Sequence, residues 1–337
     1  MEYIVLDLEW NQNPFGKTEK ENKVPFEIIE IGAVKVSEDL TILDEFSEVI
    51  RPNIYKRMHK KIKEITHLSN SDLKKGRSFK KVIIDFLEWC GDDYLFCTWG
   101  SMDLVELQRN MKYYGFERVL DFPLEFMDLQ KLFSLCYENG KTRRTLQYAV
   151  EFLKIKEEIP FHRAISDAEY TARVMKAMDF ESVKSHYSID TYYLPRIKEE
   201  EIYAKFDDYT KYISREFETR EDMLEDKEVI SIRCDKCGEP LDVKVDWFSD
   251  SGKTYYCLGT CKKHGYVRGR LRIRKTEDDG FWCIKILKST DEKGKQRMLD
   301  KQTAIREKRR ERRQKMLEQL HENEIWDHEP DDEDEEL

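Results

Sequence analysis

The sequence predicts an α/β chain: a mixed sheet flanked by helices, then a small β-rich domain and a charged helical C-terminus. Three observations predict it. Three runs rich in Ile and Val open the chain, strand and helix patterns then alternate to about residue 180, and four cysteines cluster between residues 234 and 261.

The first runs, "EYIVLDLEW", "EIIEIGAVKV" and "FSEVIRP", are bounded by polar, Gly or Pro residues and read as successive strands. "SFKKVIIDFLEWC" has helical spacing, and "DYLFCTWG" is a further short strand. "SMDLVELQRNMKYYG" reads as a helix ending at Gly115. "EFMDLQKLFSLCYENG" begins as strand and becomes helix, while "TLQYAVEFLKI" and "SDAEYTARVMKAM" are amphipathic helices. Residues 181–228 are charged and aromatic and read as a helical connector. Residues 229–290 form the β-rich domain, and 291–337 hold a charged helix and an acidic tail expected to be disordered.

The 337 residues suffice for two domains, and no apolar run approaches the roughly 20 residues that span a bilayer. No signal peptide is visible, and eight cysteines in a chain this long point away from a secreted disulfide scaffold, so a cytoplasmic location is expected. Cys90, Cys97 and Cys136 read as buried thiols. The net charge of −10 would argue against nucleic acid if it were uniform. It is not: "HENEIWDHEPDDEDEEL" has no Lys or Arg, whereas "YKRMHKKIKEI" and "YVRGRLRIRK" are strongly basic.

Asp7 and Glu9 are two apart on a strand and therefore project to one side. Two such acids repel unless a cation lies between them, and hard divalent ions bind carboxylate oxygen. "TWGSMDLVEL" places Asp103 early in a helix directly after a strand. "FHRAISDAEYTARV" places His162 five residues before Asp167, a spacing that brings them together only if His162 lies on the loop before the helix. Ser166 and Glu169 resemble a capping box, with Asp167 in the first turn.

In this order, D-L-E, then D, then H-x-x-x-x-D, residues 1–180 resemble the DEDDh 3′–5′ exonucleases of the RNase H-like fold. "EIIEIGAVKV", "ITHLSNSDL", "WGSMD" and "HRAISDA" are most similar to the KapD and enhanced-RNAi branch, alongside RNase T. The resemblance implies that Asp7, Glu9, Asp103 and Asp167 hold two Mg²⁺ or Mn²⁺ ions, that Asp7 bridges them, and that His162 is the general base. It implies a single-stranded nucleic-acid substrate, RNA favoured, attacked from the 3′ end to release nucleoside monophosphates. A DNA-repair or proofreading exonuclease and a non-catalytic RNA-binding adaptor are the alternatives. Ser101 and Trp10 are implied substrate contacts. Trp10 stands where many relatives have a small residue; its indole either stacks on the terminal base or caps the core.

"CDKCGEP" and "CLGTCKKHG" are separated at zinc-ribbon spacing, so Cys234, Cys237, Cys257 and Cys261 are expected to close a structural Zn²⁺ site, with His264 as the alternative to Cys261. The following "KKHGYVRGRLRIRK" has seven Lys or Arg and no acid. Alternation places Arg268, Arg270, Arg272 and Arg274 on one strand face, as a track for a phosphate backbone. The acidic tail is a candidate competitor for that basic surface.

Overall fold

β1 (Glu2–Gln12), β2 (Phe26–Val36) and β3 (Ile42–Val49) form an antiparallel meander at the start of the chain. This is a computed structural model that describes residues 1–13, 24–249 and 251–326, with side chains as far as Leu320. It divides into two units, Met1–Tyr193 and Leu194–Leu337.

In the first unit β4 (Tyr94–Thr98) runs parallel to β1, β5 (Glu125–Asp128) parallel to β4, and β6 (Ser188–Ile189) antiparallel to β5. The sheet order is β3-β2-β1-β4-β5-β6. Parallel neighbours need a crossover of a dozen or more residues. Here α1 (Lys60–Thr66), α2 (Asn70–Lys75) and α3 (Phe79–Cys90) lie between β3 and β4, and α4 (Met102–Tyr113) lies between β4 and β5. α5 (Leu129–Tyr137), α6 (Leu146–Phe152), α7 (Ala164–Ala177) and α8 (Phe180–Val183) follow.

β1 is central and buried on both sides, which is why its first half is an unbroken apolar run. Ile4, Leu6 and Leu8 face a core shared with α3 and α4, including Phe86, Leu104 and Leu107. Tyr3 and Val5 face the opposite core, with Leu132, Met175 and Phe180. Asp7 and Glu9 continue the second of these faces. α7 packs there because Gly32, paired with Asp7 across the strands, has no side chain. A Cβ at Gly32 would stand 2.0 Å from the backbone nitrogen of Ile165.

In the second unit β7 (Ile202–Lys205), β8 (Tyr209–Ile213), α9 (Arg220–Glu225) and α10 (Lys227–Ile230) precede β9 (Asp242–Ser249), β10 (Thr254–Cys261), β11 (Gly265–Lys275), β12 (Phe281–Ser289) and the long α11 (Glu292–Trp326). The sheet is antiparallel throughout, in the order β7-β8-β12-β11-β10-β9.

The expected domain boundaries are corrected here. Residues 181–193 belong to the first unit, where β6 extends its sheet. The expected helical connector does hold α9, but it also supplies β7 and β8, whose Ile202, Tyr212 and Ile213 are buried in the second sheet. Strand alternation in these short segments was masked by their charged residues. α11 starts at Glu292 and reaches Trp326, and Met298 packs with Val245 and Leu258. The rest of the acidic tail, 327–337, lies outside the described residues. Among the described residues, no helix is long and apolar enough to cross a membrane.

Candidate active site

The C-terminal half of β1 carries Asp7 and Glu9 toward the start of α7. Asp103 stands in the first turn of α4, immediately after β4, and its Oδ1 accepts a hydrogen bond from the Leu8 amide at 3.3 Å. Asp167 stands in the first turn of α7 and its Oδ2 accepts from the His162 amide at 3.0 Å. The ligand atoms of Glu9, His162 and Asp167 lie within 4.8 Å of one another. His162 is on the loop before α7, exposed, with φ +67°. That left-handed turn is what brings a residue five positions upstream back over Asp167.

The expected capping box at Ser166 and Glu169 does not form. α7 begins three residues earlier, at Ala164, so Ser166 is a buried residue of the helix and Glu169 pairs with Arg173. The start of the helix is secured by two carboxylates instead: Asp167 takes the His162 amide and Glu30 takes the Ala164 amide at 3.3 Å. Glu30 was missed by sequence reading. It is fully buried on β2 opposite Glu9, and both its oxygens accept from Arg163 Nε, at 3.0 and 3.1 Å. An acid inside the apolar run "EIIEIGAVKV" was the available signal, since a buried carboxylate needs a partner. This pair ties the His162 loop to the sheet.

The four acids crowd one another. Burial, then the charges of Asp103, Asp167 and Glu9, holds Asp7 well above the usual carboxylate range. Burial pushes Glu9 up to about 8, with Asp167 and Glu30 adding to the effect and Arg163 opposing it. Burial also raises Asp103 to about 7, against the hydrogen bonds from its own amide and that of Leu8. Asp167 is raised to about 6 by burial, while the His162 amide and imidazole pull it down. Asp167 Oδ1 is buried without a hydrogen-bond partner among the described residues. The neighbouring guanidinium of Arg163 is engaged by Glu30. A carboxylate-rich donor set, mutual repulsion and a free buried oxygen fit divalent cations of the Mg²⁺ or Mn²⁺ kind.

The exonuclease family RNase_T matches residues 4–175, just over half of the chain. The chain belongs to this exonuclease family. Its first unit is an exonuclease domain of the DEDDh type, with the mixed, helix-flanked sheet of the RNase H-like fold. The "DNA polymerase III PolC-type" of Staphylococcus saprophyticus is 27% identical over 194 residues, covering 56% of this chain and 12% of that protein. The same protein of Staphylococcus aureus is 27% identical over 177 residues, 52% of this chain and 11% of its own length. The chain thus spans about a tenth of these relatives. Among solved structures, the nuclease domain of 3′hExo, a DEDDh family member bound to rAMP, is 19% identical with a TM-score of 0.47. That match covers 56% of this exonuclease and 96% of the other chain.

The other expected site residues lie as follows. Trp10 is half-buried with its ring 5.7 Å from that of Phe26, and Ser101 is exposed at the start of α4. In the second unit of the exonuclease, Cys234, Cys237, Cys261 and His264 are placed so that they could hold a metal ion. The expected ligand Cys257 is not part of it. It is four residues from Cys261 along β10, about 13 Å away at strand rise. It is buried against Gly269, where a Cβ would come within 2.3 Å of its sulfur.

Proposed function

We propose that this exonuclease is divalent-cation-dependent and trims single-stranded nucleic acid from the 3′ end, RNA favoured, releasing nucleoside 5′-monophosphates. The observation that carries the reading is the clustering of Glu9, His162 and Asp167 within 4.8 Å, with Asp7 and Asp103 close enough to press electrostatically on the same acids. Two Mg²⁺ or Mn²⁺ ions held by these carboxylates would neutralise the phosphodiester and ease ionisation of the attacking water.

The protein's own groups do the rest. His162 accepts the proton of the water, whose oxygen bonds to phosphorus as the P–O3′ bond breaks. The oxygen that leaves stays on the shortened strand. Asp167 fixes the His162 loop through the amide, leaving the imidazole free, and Glu30 with Arg163 holds that loop to β2. Trp10 and Ser101 are proposed contacts for the terminal nucleotide. None of the eight cysteines is in a disulfide, which suits a reducing cytoplasm.

RNA is favoured by the branch that "ITHLSNSDL" and "HRAISDA" resemble. DNA is the second reading, favoured by relatives that are DNA polymerases. Single-stranded RNA and DNA of one sequence, labelled at the 5′ end, separate the two when incubated with the chain and Mg²⁺ or Mn²⁺. The expected result is a ladder shortening from the 3′ end, faster on RNA, with mononucleotide products and no reaction in EDTA. Internal cutting, or shortening from the 5′ end, would overturn the reading; faster digestion of DNA would favour the second one.

A further inference from the structure

We propose that Cys234, Cys237, Cys261 and Nδ1 of His264 hold one structural zinc ion in the second unit. Two segments build the group in the same way. Cys234-Asp-Lys-Cys237-Gly238 and Cys261-Lys-Lys-His264-Gly265 each end on a glycine in the left-handed region, at φ +75° and +78°. Each is therefore the same tight turn, presenting two donors three residues apart. In the first turn the Gly238 amide donates to Cys234 oxygen at 2.9 Å. The second closes the β10–β11 hairpin, with Cys261 paired to Gly265.

The distances select a tetrahedral ion. Bond lengths of about 2.3 Å to sulfur and 2.0 Å to nitrogen give edges of about 3.8 Å between sulfurs and 3.5 Å between sulfur and nitrogen. The structure has Cys237 Sγ to Cys261 Sγ at 3.7 Å, Cys234 Sγ to His264 Nδ1 at 3.5 Å, and Cys261 Sγ to His264 Nδ1 at 3.7 Å. A disulfide needs sulfurs about 2.05 Å apart. All four positions of the shell are filled by protein, so the ion is structural. Binding releases the thiol protons to solvent. The ion ties the segment before β9 to the β10–β11 hairpin beside a core of Ile232, Leu241 and Val267.

Metal content of the full chain, purified without chelator, tests this directly. One zinc per chain is expected, retained in Cys257→Ala and in the ligand-conserving His264→Cys, and lost in Cys237→Ser and His264→Ala. Cys237 and His264 are exposed, so their replacement disturbs little packing. Parent chain without zinc, or zinc lost from Cys257→Ala and kept by His264→Ala, overturns the proposal. Should a variant fail to fold, the cobalt-substituted parent decides: charge-transfer intensity of three thiolates supports the site and that of four overturns it.

A second inference rests on different residues. We infer that the arginine-bearing face of β11, the face on which the start of α11 packs, binds single-stranded nucleic acid. Arg268, Arg270, Arg272 and Arg274 are all exposed, on one face over about 20 Å of strand. None makes an ion pair among the described residues; Arg274 lies over the Trp282 ring at 5.3 Å. At the far end of the strand is a hollow of about 990 Å³. Arg220, Lys253, Arg270, Arg272, Arg274 and Lys275 line it beside Phe281, with no acid among its described lining residues. Unneutralised cations at regular spacing beside an aromatic ring suit a phosphate chain and its bases.

Binding of the full chain to labelled single-stranded RNA in EDTA, read by anisotropy at several salt concentrations, is independent of cutting. Its failure is therefore distinct from failure of the nuclease reading. Replacing the four arginines by Gln should weaken binding at least tenfold at low salt. It should also flatten the log–log salt slope by about 3, at about 0.7 per phosphate contact on single strands. The four-Lys variant should keep the slope. An unchanged slope in the Gln variant, its loss in a folded Lys variant, or tighter binding of a peptide of residues 327–337 than of RNA overturns the inference.

Discussion

Asp7→Asn is expected to be inactive and yet, in EDTA, more heat-stable than the parent. Asp7 is the carboxylate on which Asp103, Asp167 and Glu9 all press after burial has already disfavoured its charge. Replacing it with a neutral isostere removes repulsion that only bound cations would otherwise offset. The pH dependence carries the sign. With Glu9 raised to about 8, Asp103 to about 7 and Asp167 to about 6, the metal-free folded state binds more protons than the unfolded chain, whose carboxyls titrate near 4. Stability is therefore fully present below about pH 4 from these groups and falls as pH rises through 6 to 8. The melting temperature of the parent in EDTA should drop by about 5 °C or more between pH 5.5 and 8.5, given about 2–4 °C per kcal/mol for a unit of this size. Mg²⁺ or Mn²⁺ should restore it at pH 8.5, since ions that bind only the folded state stabilise it by mass action. Asp7→Asn should show a shallower drop and a smaller rise with metal. A melting temperature that climbs with pH in EDTA, or activity surviving in Asp7→Asn, would count against the whole site.

Much of this site was legible because its chemistry is written in residue types that strands and helix starts rarely carry without cause. Asp7 and Glu9 interrupt an apolar strand, and Asp103 and Asp167 sit in first turns of helices, where the helix dipole favours acids. Glu30 was not legible in the same way. Its role depends on the register that sets it opposite Glu9 and on the return of a loop 133 residues later. Gly32 is similar: its need for no side chain appears only once α7 lies across β2. In the second unit the cysteines were seen, but the cluster that forms brings in His264 and leaves out the expected Cys257. Cys257 and Cys261 were read as a second ligand pair by their spacing, whereas both lie on β10, whose rise carries them apart. The informative pattern was the repeated pair of donors followed by glycine, in Cys234 to Gly238 and Cys261 to Gly265. Residues 181–228 were misread because short edge-side strands among many charges carry too few alternating positions to stand out.

His162→Ala is expected to lower kcat by about 10²–10⁴, the usual contribution of a general base, with KM and divalent-ion binding nearly unchanged. The geometry separates these effects. Asp167 is held by the His162 backbone amide, which alanine keeps, so the carboxylates stay in place when the imidazole goes. Alanine also meets the same left-handed backbone that histidine already adopts, so no new conformational demand arises. A merely structural role for His162 would lower the melting temperature or the metal-induced stabilisation. The general-base role leaves both alone and removes the acid limb that protonation of the base imposes on the pH–rate profile. Because the side chain is exposed beside Glu9 and Asp167, free imidazole in the buffer should reach the vacated position and recover part of the rate. Single-turnover rates across pH 5–9, with and without added imidazole, read all of this in one series. A loss of under tenfold, or an equal loss of nucleic-acid binding, would remove His162 from the proton transfer and leave the carboxylates to activate water without it.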